Sequence, residues 1–426
     1  MNTETKINWA YEIKANLGNP EILEGLYRND RKAFKTAFEG LFQEIKNTET
    51  AMFWKSRLDY DSKPDILKTF TMREIVIVVA TGLVAAFLIK IPTIFSLSDE
   101  DSFYFKNAAI IVFFGLTLYT MLINRISEPG KIITTVVAFL IPALYSNLMP
   151  SRDPRDAVIL AYIHLPMLMW FIYGIVWSGF DLRNHDKRID FIRHNGDLAI
   201  TYALIAAGGG FLTLITVGLF NSIGLDITDF YAENIVFAGA VAAPVVAAYL
   251  IGKFPALVSK IAPIIAGIFS PLVLITLIVF LVTMILTGKD PYNDRDFLLI
   301  FNVLLLGVMG IIIFSVSGTS VIKNQRFNSI TLLILSVVTI IIDLIALSAI
   351  FYRLGEYGLT PNRLTILVSN ILVLINLIMI MAGLFKINFR NKEFRIVEMT
   401  VSRYLPVYLV WIIFVVFAFP RIFGIN

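Results

Sequence analysis

Residues 330–350, ITLLILSVVTIIIDLIALSAI, and residues 364–385, LTILVSNILVLINLIMIMAGLF, decide the fold. The first run carries a single charge, Asp343, and the second is interrupted by the amides Asn370 and Asn376. At 1.5 Å rise per residue, ~20 apolar residues cross a hydrocarbon core. Between the runs lies FYRLGEYGLTPNR, residues 351–363, which holds the local charge and the turn residues. The pattern reads as a helix–loop–helix hairpin in a membrane, with one carboxylate buried in it.

The same grammar repeats along the chain. Eleven spans are expected: Ile75–Ile91, Ala108–Ile123, Ile132–Leu148, Val158–Trp177, Leu198–Phe220, Ile235–Ile251, Ile261–Thr287, Phe297–Val316, Ile330–Ile350, Leu364–Phe385 and Tyr404–Phe419. The composition agrees. Of 426 residues, 57% are hydrophobic and only 16% charged, against about 25% charged in soluble domains. The sequence therefore predicts an all-α fold: a polytopic transmembrane helix bundle over residues 75–426, behind a small amino-terminal helical domain over residues 1–74.

Charge sets the orientation. The even-numbered gaps between spans hold fifteen Lys and Arg, and the odd-numbered gaps with the short tail hold eight. The odd gaps also carry most of the loop acids, such as Asp99, Asp153, Asp229, Asp290 and Glu356. By the positive-inside rule the amino terminus and the basic gaps are cytoplasmic, and the carboxyl terminus lies outside. The expected location is a bacterial cytoplasmic (inner) membrane. The net charge of +4 is explained by these loops, so the expected partner is the lipid bilayer and not nucleic acid.

Residues 1–74 are polar, with twelve basic and twelve acidic residues, and hold no signal-peptide core, so no cleaved export signal is expected. Phe34, Ala37, Phe38, Leu41, Phe42 and Ile45 form one stripe of an amphipathic helix. The stripe packs either on Trp9, Tyr27 and Trp54 in a compact domain or on the membrane surface.

Chemistry is sparse. The absence of cysteine excludes disulfides, Cys-ligated zinc and thiol nucleophiles. No Walker, dinucleotide, Ser-His-Asp or HExxH pattern occurs, and His185 and His194 lack metal-ligand spacing. No catalytic residue, metal or cofactor is expected. Asp343 is the acidic residue deepest in a span, and such residues face a polar interior or a partner. Counting rise along each helix puts it ~10 Å below the outer surface. His164, Asn302 and Asn370 fall at a similar depth. The four are expected to share one polar layer, able to hold a proton or a cation.

Two loops complete the candidates. In residues 351–363, Gly355 and Gly358 permit tight turns, and Thr360 before Pro361 reads as a helix cap. Arg353, Glu356, Tyr357 and Arg363 are expected to form a network at the membrane mouth. In the basic gap SGFDLRNHDKRIDFIRHNGD, residues 178–197, Arg188 is a candidate for lipid headgroups or a cytoplasmic partner. Arg193 and Asp197 are spaced to pair if the following helix starts early. Gly208–Gly210, Gly239, Pro244, Pro263 and Pro271 in spans five to seven read as packing or gating devices.

The segment RLGEYGLTPNR resembles a bacterial membrane family, domain of unknown function 4153, whose members carry an Arg…Tyr-Gly-Leu-Thr-x-x-Arg stretch between two late spans. The matching positions are Arg353, Tyr357, Gly358, Leu359, Thr360 and Arg363. RIDFIRHNGD is similar to the family's basic stretch before a mid-chain helix, with Asp197 where the family usually has glutamate. The resemblance covers residues 75–420. It implies a multi-pass inner-membrane protein and brings no established activity. Three functions are open from the residues: solute or ion handling at Asp343; a non-transport sensor or scaffold that recruits a cytoplasmic protein through residues 1–74; and, ranked last for want of paired acids or a metal set, a membrane transferase acting at Arg353–Arg363.

Overall fold

The computed structural model describes residues 9–61, 71–96, 99–150, 154–222, 225–255, 261–287, 292, 295–319 and 325–424. Among them every regular element is helical and no strand occurs. The chain divides into two compact units, Met1–Met72 and Arg73–Asn426.

The first unit contains α1 (Trp9–Ala15), α2 (Pro20–Asn29), α3 (Arg31–Ile45) and α4 (Glu49–Asp61). Side chains supply the partners that helix starts lack. Asn19 accepts from the Ile22 amide with Pro20 at the first position, Asp30 from Ala33 (2.9 Å) and Thr48 from Ala51 (3.3 Å). The α3 stripe is buried within this unit. Phe34, Phe38 and Ile45 pack with Ile13, Leu23, Tyr27, Trp54 and Leu58. The Tyr27, Phe34 and Trp54 rings lie 4.9–5.6 Å apart.

An ion network crosses this unit. Glu24 accepts from Arg28 Nε (2.8 Å) and from Arg57 Nη2 (3.1 Å). The Arg28 hydrogen bond, helped by Arg57, holds the Glu24 carboxyl below the usual glutamate range against a smaller effect of desolvation. A depressed folded-state pKa stabilises above the unfolded value and is lost as pH falls through the folded one. Glu24→Gln is therefore expected to lower the unit's stability at pH 7 by about 0.5–1 kcal/mol, the scale of a screened surface pair. The difference from the native chain should fade as pH drops below about 4.5. Hydrogen exchange of α2 and α4 in the two chains across pH measures it.

The second unit is built from long apolar helices: α5 (Met72–Ile89), α7 (Glu100–Ile123), α8 (Pro129–Leu148), α9 (Asp156–Trp177), α10 (His185–Ser222), α12 (Phe237–Lys253), α13 (Ile261–Thr287), α14 (Arg295–Thr319), α15 (Gln325–Tyr357), α16 (Pro361–Arg390) and α17 (Arg395–Phe417). Short turns α6 (Ile91–Ile94), α11 (Thr228–Tyr231) and α18 (Phe419–Phe423) attach to them, and a π turn, Ala232–Val236, leads into α12. Among the described residues ten helices are long and apolar enough to cross a membrane. The remaining expected span, Phe297–Val316, falls in α14, of which Leu304–Val316 counts as a shorter apolar helix among the described residues. Outward faces are also apolar: Leu83, Phe211, Leu214, Ile285 and Val410 are 63–74% exposed. Continuous apolar exposure on this scale suits lipid as solvent, so this is a multi-pass membrane protein.

Two packed regions share the connecting helix α17. One core joins α10, α14, α15, α16 and α17 through Ile192, Ile312, Ile342, Leu377 and Val401. The other joins α7, α8, α9 and α17 through Ile110, Phe139, Met169 and Ile412. Close approach occurs where α17 turns back on α16. A Cβ on Gly383 would stand 2.8 Å from Val397 Cγ2, and the branched valine has little freedom to move. Gly383→Ala is expected to destabilise the membrane unit by about 1–3 kcal/mol. Adding Val397→Ala should recover most of that, read as thermal unfolding in detergent.

Several sequence expectations are corrected. The segment 351–363 is mostly helix, because α15 runs on to Tyr357 and only Gly358–Thr360 connect it to α16. Gly355 is thus helical, while Gly358 adopts φ +73°. α10 passes unbroken through Gly208–Gly210, where an added Cβ would meet nothing within 4 Å among the described residues, so these glycines do not break the helix. Pro244 and Pro271 likewise lie inside continuous helices. Pro263 is in the α13 stretch whose side chains lie outside the described residues. α10 does start early, but Arg193 pairs with Glu398 of α17 (2.5 Å) and Asp190 (3.0 Å) instead of Asp197. Lys106, one of the eight basic residues counted in the odd-numbered gaps and tail, belongs to α7 and not to a loop. It is 5% exposed and donates to the Met149 carbonyl just beyond α8 (2.6 Å), where a helix end favours a cation.

Candidate functional site

Asp343 sits in the middle of α15, fully buried, and neither carboxylate oxygen has a hydrogen-bond partner among the described residues. α15 and α16 fold back on each other through the tight connection at Gly358–Thr360. Thr360 caps α16 by accepting from the Arg363 amide (3.3 Å). Arg363 itself donates to the Tyr357 and Gly358 carbonyls (2.8 and 2.7 Å), which holds the hairpin shut. An antiparallel pair closed at this point brings residue 343 level with the middle of α16.

Asn376 is there. It is 1% exposed, its Nδ2 donates to Tyr408 Oη on α17 (3.0 Å), and its Oδ1 has no partner among the described residues. The Asp343 carboxylate lies within electrostatic reach of the same Tyr408. Three neighbouring helices thus contribute Asp343, Asn376 and Tyr408 to one buried polar layer. Tyr408 also lines a cavity of about 290 Å³, mostly apolar, together with His164, Trp170, Ser369 and Trp411. On its wall Trp411 Nε1 donates to Ser369 Oγ (3.0 Å). His164 Nδ1 bonds the Leu160 carbonyl (2.8 Å). A carbonyl only accepts, so that nitrogen carries a hydrogen and Nε2 remains for a ligand. The same Tyr408 phenol lines the cavity, accepts from Asn376 and lies within electrostatic reach of the buried carboxylate, and a carboxyl in such a place can hold a proton.

The four residues expected to form one layer are distributed differently. Asn370 Nδ2 donates to Asn302 Oδ1 (2.8 Å), joining α16 to α14. His164 faces the cavity, whose wall does not include Asp343, Asn302 or Asn370. Asp343 hydrogen-bonds none of the other three. Of the four outer-loop residues expected to form a network, Arg353, Tyr357 and Arg363 come together. Arg353 and Arg363 lie against the Tyr357 ring (5.9 and 5.5 Å to its centre), and Glu356 is exposed. Arg188 donates to the Ser402 carbonyl (3.0 Å) and to that of Leu182, tying the start of α10 to α17.

Asn376, Ser369, Tyr408 and Trp411 were not read as site residues from sequence. A signal existed: Ser369 and Asn376 are seven apart, and Tyr408 and Trp411 three apart, so each pair shares a helix face. Among the described residues no group of three His, Asp or Glu side chains is placed to hold a metal ion.

Compared with protein-family models, with curated proteins and with solved structures, the chain matches none.

Proposed function

We propose that this protein handles a small solute or ion within the membrane, with Asp343 as the charge-bearing group and Tyr408–Asn376 joining it to the cavity beside His164. The observation that carries the reading is the unpartnered carboxylate at the centre of a helix bundle. An intramembrane acid is expensive and persists where it serves function. The positive-inside pattern supports eleven crossings with the amino terminus in the cytoplasm of a bacterial cell, and the RLGEYGLTPNR segment supports membership of the domain of unknown function 4153 family.

Reconstitution into liposomes with a solute and proton-flux panel tests the function. Flux should be present for the native chain and absent for Asp343→Asn. Absence of flux for both would favour the second reading, a sensor or scaffold. That reading draws on the compactness of residues 1–72 and on a groove lined by Glu21, Glu24, Glu49, Phe53 and Trp54 in that unit.

A further inference from the structure

A second polar cavity, of about 400 Å³, lies at one end of the membrane unit, separate from the Asp343 layer. It is walled by the start of α5 and the ends of α7, α9 and α12, with α10 alongside. Among the described residues its charged groups are one carboxylate and one ammonium, Glu74 and Lys253, held together at 2.7 Å and only 22% and 17% exposed. Aromatic side chains form much of the rest: Tyr119, Tyr173, Trp177 and Tyr249. His194 is fixed against this wall, its Nε2 bonded to Tyr173 Oη (2.9 Å) and its ring stacked on Trp177 (5.1 Å). The volume falls within the range of small-ligand pockets, which pair apolar walls with a few placed polar groups.

We infer that this cavity binds a free α-amino acid with an apolar or aromatic side chain. The argument is charge complementarity. A lone cation would have to displace Lys253 from Glu74 and separate that ammonium from its carboxylate in a largely buried site, and a lone anion would likewise break the ion pair by drawing Lys253 away from Glu74. A partly buried charge without its partner is strongly unfavourable. A zwitterion avoids both penalties: its ammonium goes to Glu74 and its carboxylate to Lys253. The Tyr and Trp faces then take the side chain and add attraction to the ammonium. The lysine has the reach to swing open on its flexible stem.

The probe is radiolabelled L-phenylalanine on the detergent-solubilised full-length chain, competed by phenethylamine, which lacks the carboxylate, and by 3-phenylpropionate, which lacks the ammonium. The native chain should bind phenylalanine saturably and each single-charge analogue about tenfold or more weakly. Glu74→Gln should lose phenylalanine binding and favour phenylpropionate, because Lys253 is left uncompensated. Lys253→Met should do the reverse and favour phenethylamine. If a single variant fails to fold, Glu74→Gln/Lys253→Met removes the pair without stranding a charge and should bind all three probes weakly. No saturable phenylalanine binding by the native chain overturns the assignment. So does equal binding of phenethylamine, or a double variant that binds phenylalanine like the native chain. None of these results depends on flux or on Asp343.

Discussion

Asp343→Leu is expected to make the membrane unit more stable and inactive at once. Leucine reproduces the branched outline of aspartate, so the 0% exposed site should accept it with little repacking. What disappears is a pair of oxygens with no hydrogen-bond partner among the described residues. Whichever protonation state the acid holds, those atoms stay unsatisfied, and a buried unsatisfied polar group costs about 1–3 kcal/mol. Unfolding in detergent should shift upward by roughly that amount, while flux in liposomes is lost. Asp343→Asn should lose flux as well, with a smaller gain, because the amide keeps polar atoms in the same place. A stable but functionless leucine variant is the mark of a residue kept for activity at the expense of stability. Loss of stability in Asp343→Leu would instead reveal a structural partner and remove the basis for placing chemistry there.

The helices themselves were legible in the sequence because a bilayer imposes a one-dimensional rule. Length and apolarity of 330–350 and 364–385 are enough to predict a hairpin, and Thr360-Pro361 marks the start of α16 because capping is local. The ends were less legible. α15 and α10 continue about two and three turns past their apolar runs. They do so although FYRLGEY and HDKRIDFIRHNGD contain glycine and, in the second, several Asp, Asn and His of low helix propensity, because tertiary contacts override local preference. Arg193 to Glu398 is such a case. That partner lies 205 residues away, so near-neighbour spacing pointed to Asp197 instead.

The site was half legible for a geometric reason. Counting rise gives depth but not azimuth, and successive residues turn by ~100° around a helix. Asn302 and Asn370 share both depth and direction and therefore meet. His164 has the depth, but its ring faces the cavity by Trp411. Tyr408 and Trp411 read as ordinary membrane aromatics, and only the fold of α16 against α17 sets them opposite Asn376 and Ser369. The Glu74–Lys253 cavity was hidden because its two charges stand 179 residues apart, each near a span end where a charge is unremarkable.

Trp54→Ala should unfold the amino-terminal unit and leave the membrane unit intact. Trp54 is 2% exposed and touches Phe34 (4.9 Å) and Tyr27 (5.4 Å), with the Arg57 guanidinium over its ring (4.9 Å). Truncating such a side chain costs about 3–5 kcal/mol in transfer and cavity terms. A single core in a unit below about 80 residues seldom supplies more than about 3–5 kcal/mol in total. The loss therefore matches the whole stability of the unit and does not merely erode it. Phe53→Ala, at a neighbouring position that is 61% exposed, is the control and should stay within about 0.5 kcal/mol of native. Limited proteolysis reads the outcome. In Trp54→Ala, cleavage should spread through α1–α4 while the helices from α5 onward stay protected. Persistence of a protected amino-terminal fragment would mean that the ring cluster is not what holds α3 to α4. The variant also separates the two functions. If the protein handles its solute through Asp343, Trp54→Ala retains flux per folded molecule; if residues 1–72 recruit a partner, the loss of this one ring abolishes activity with the membrane unit fully folded.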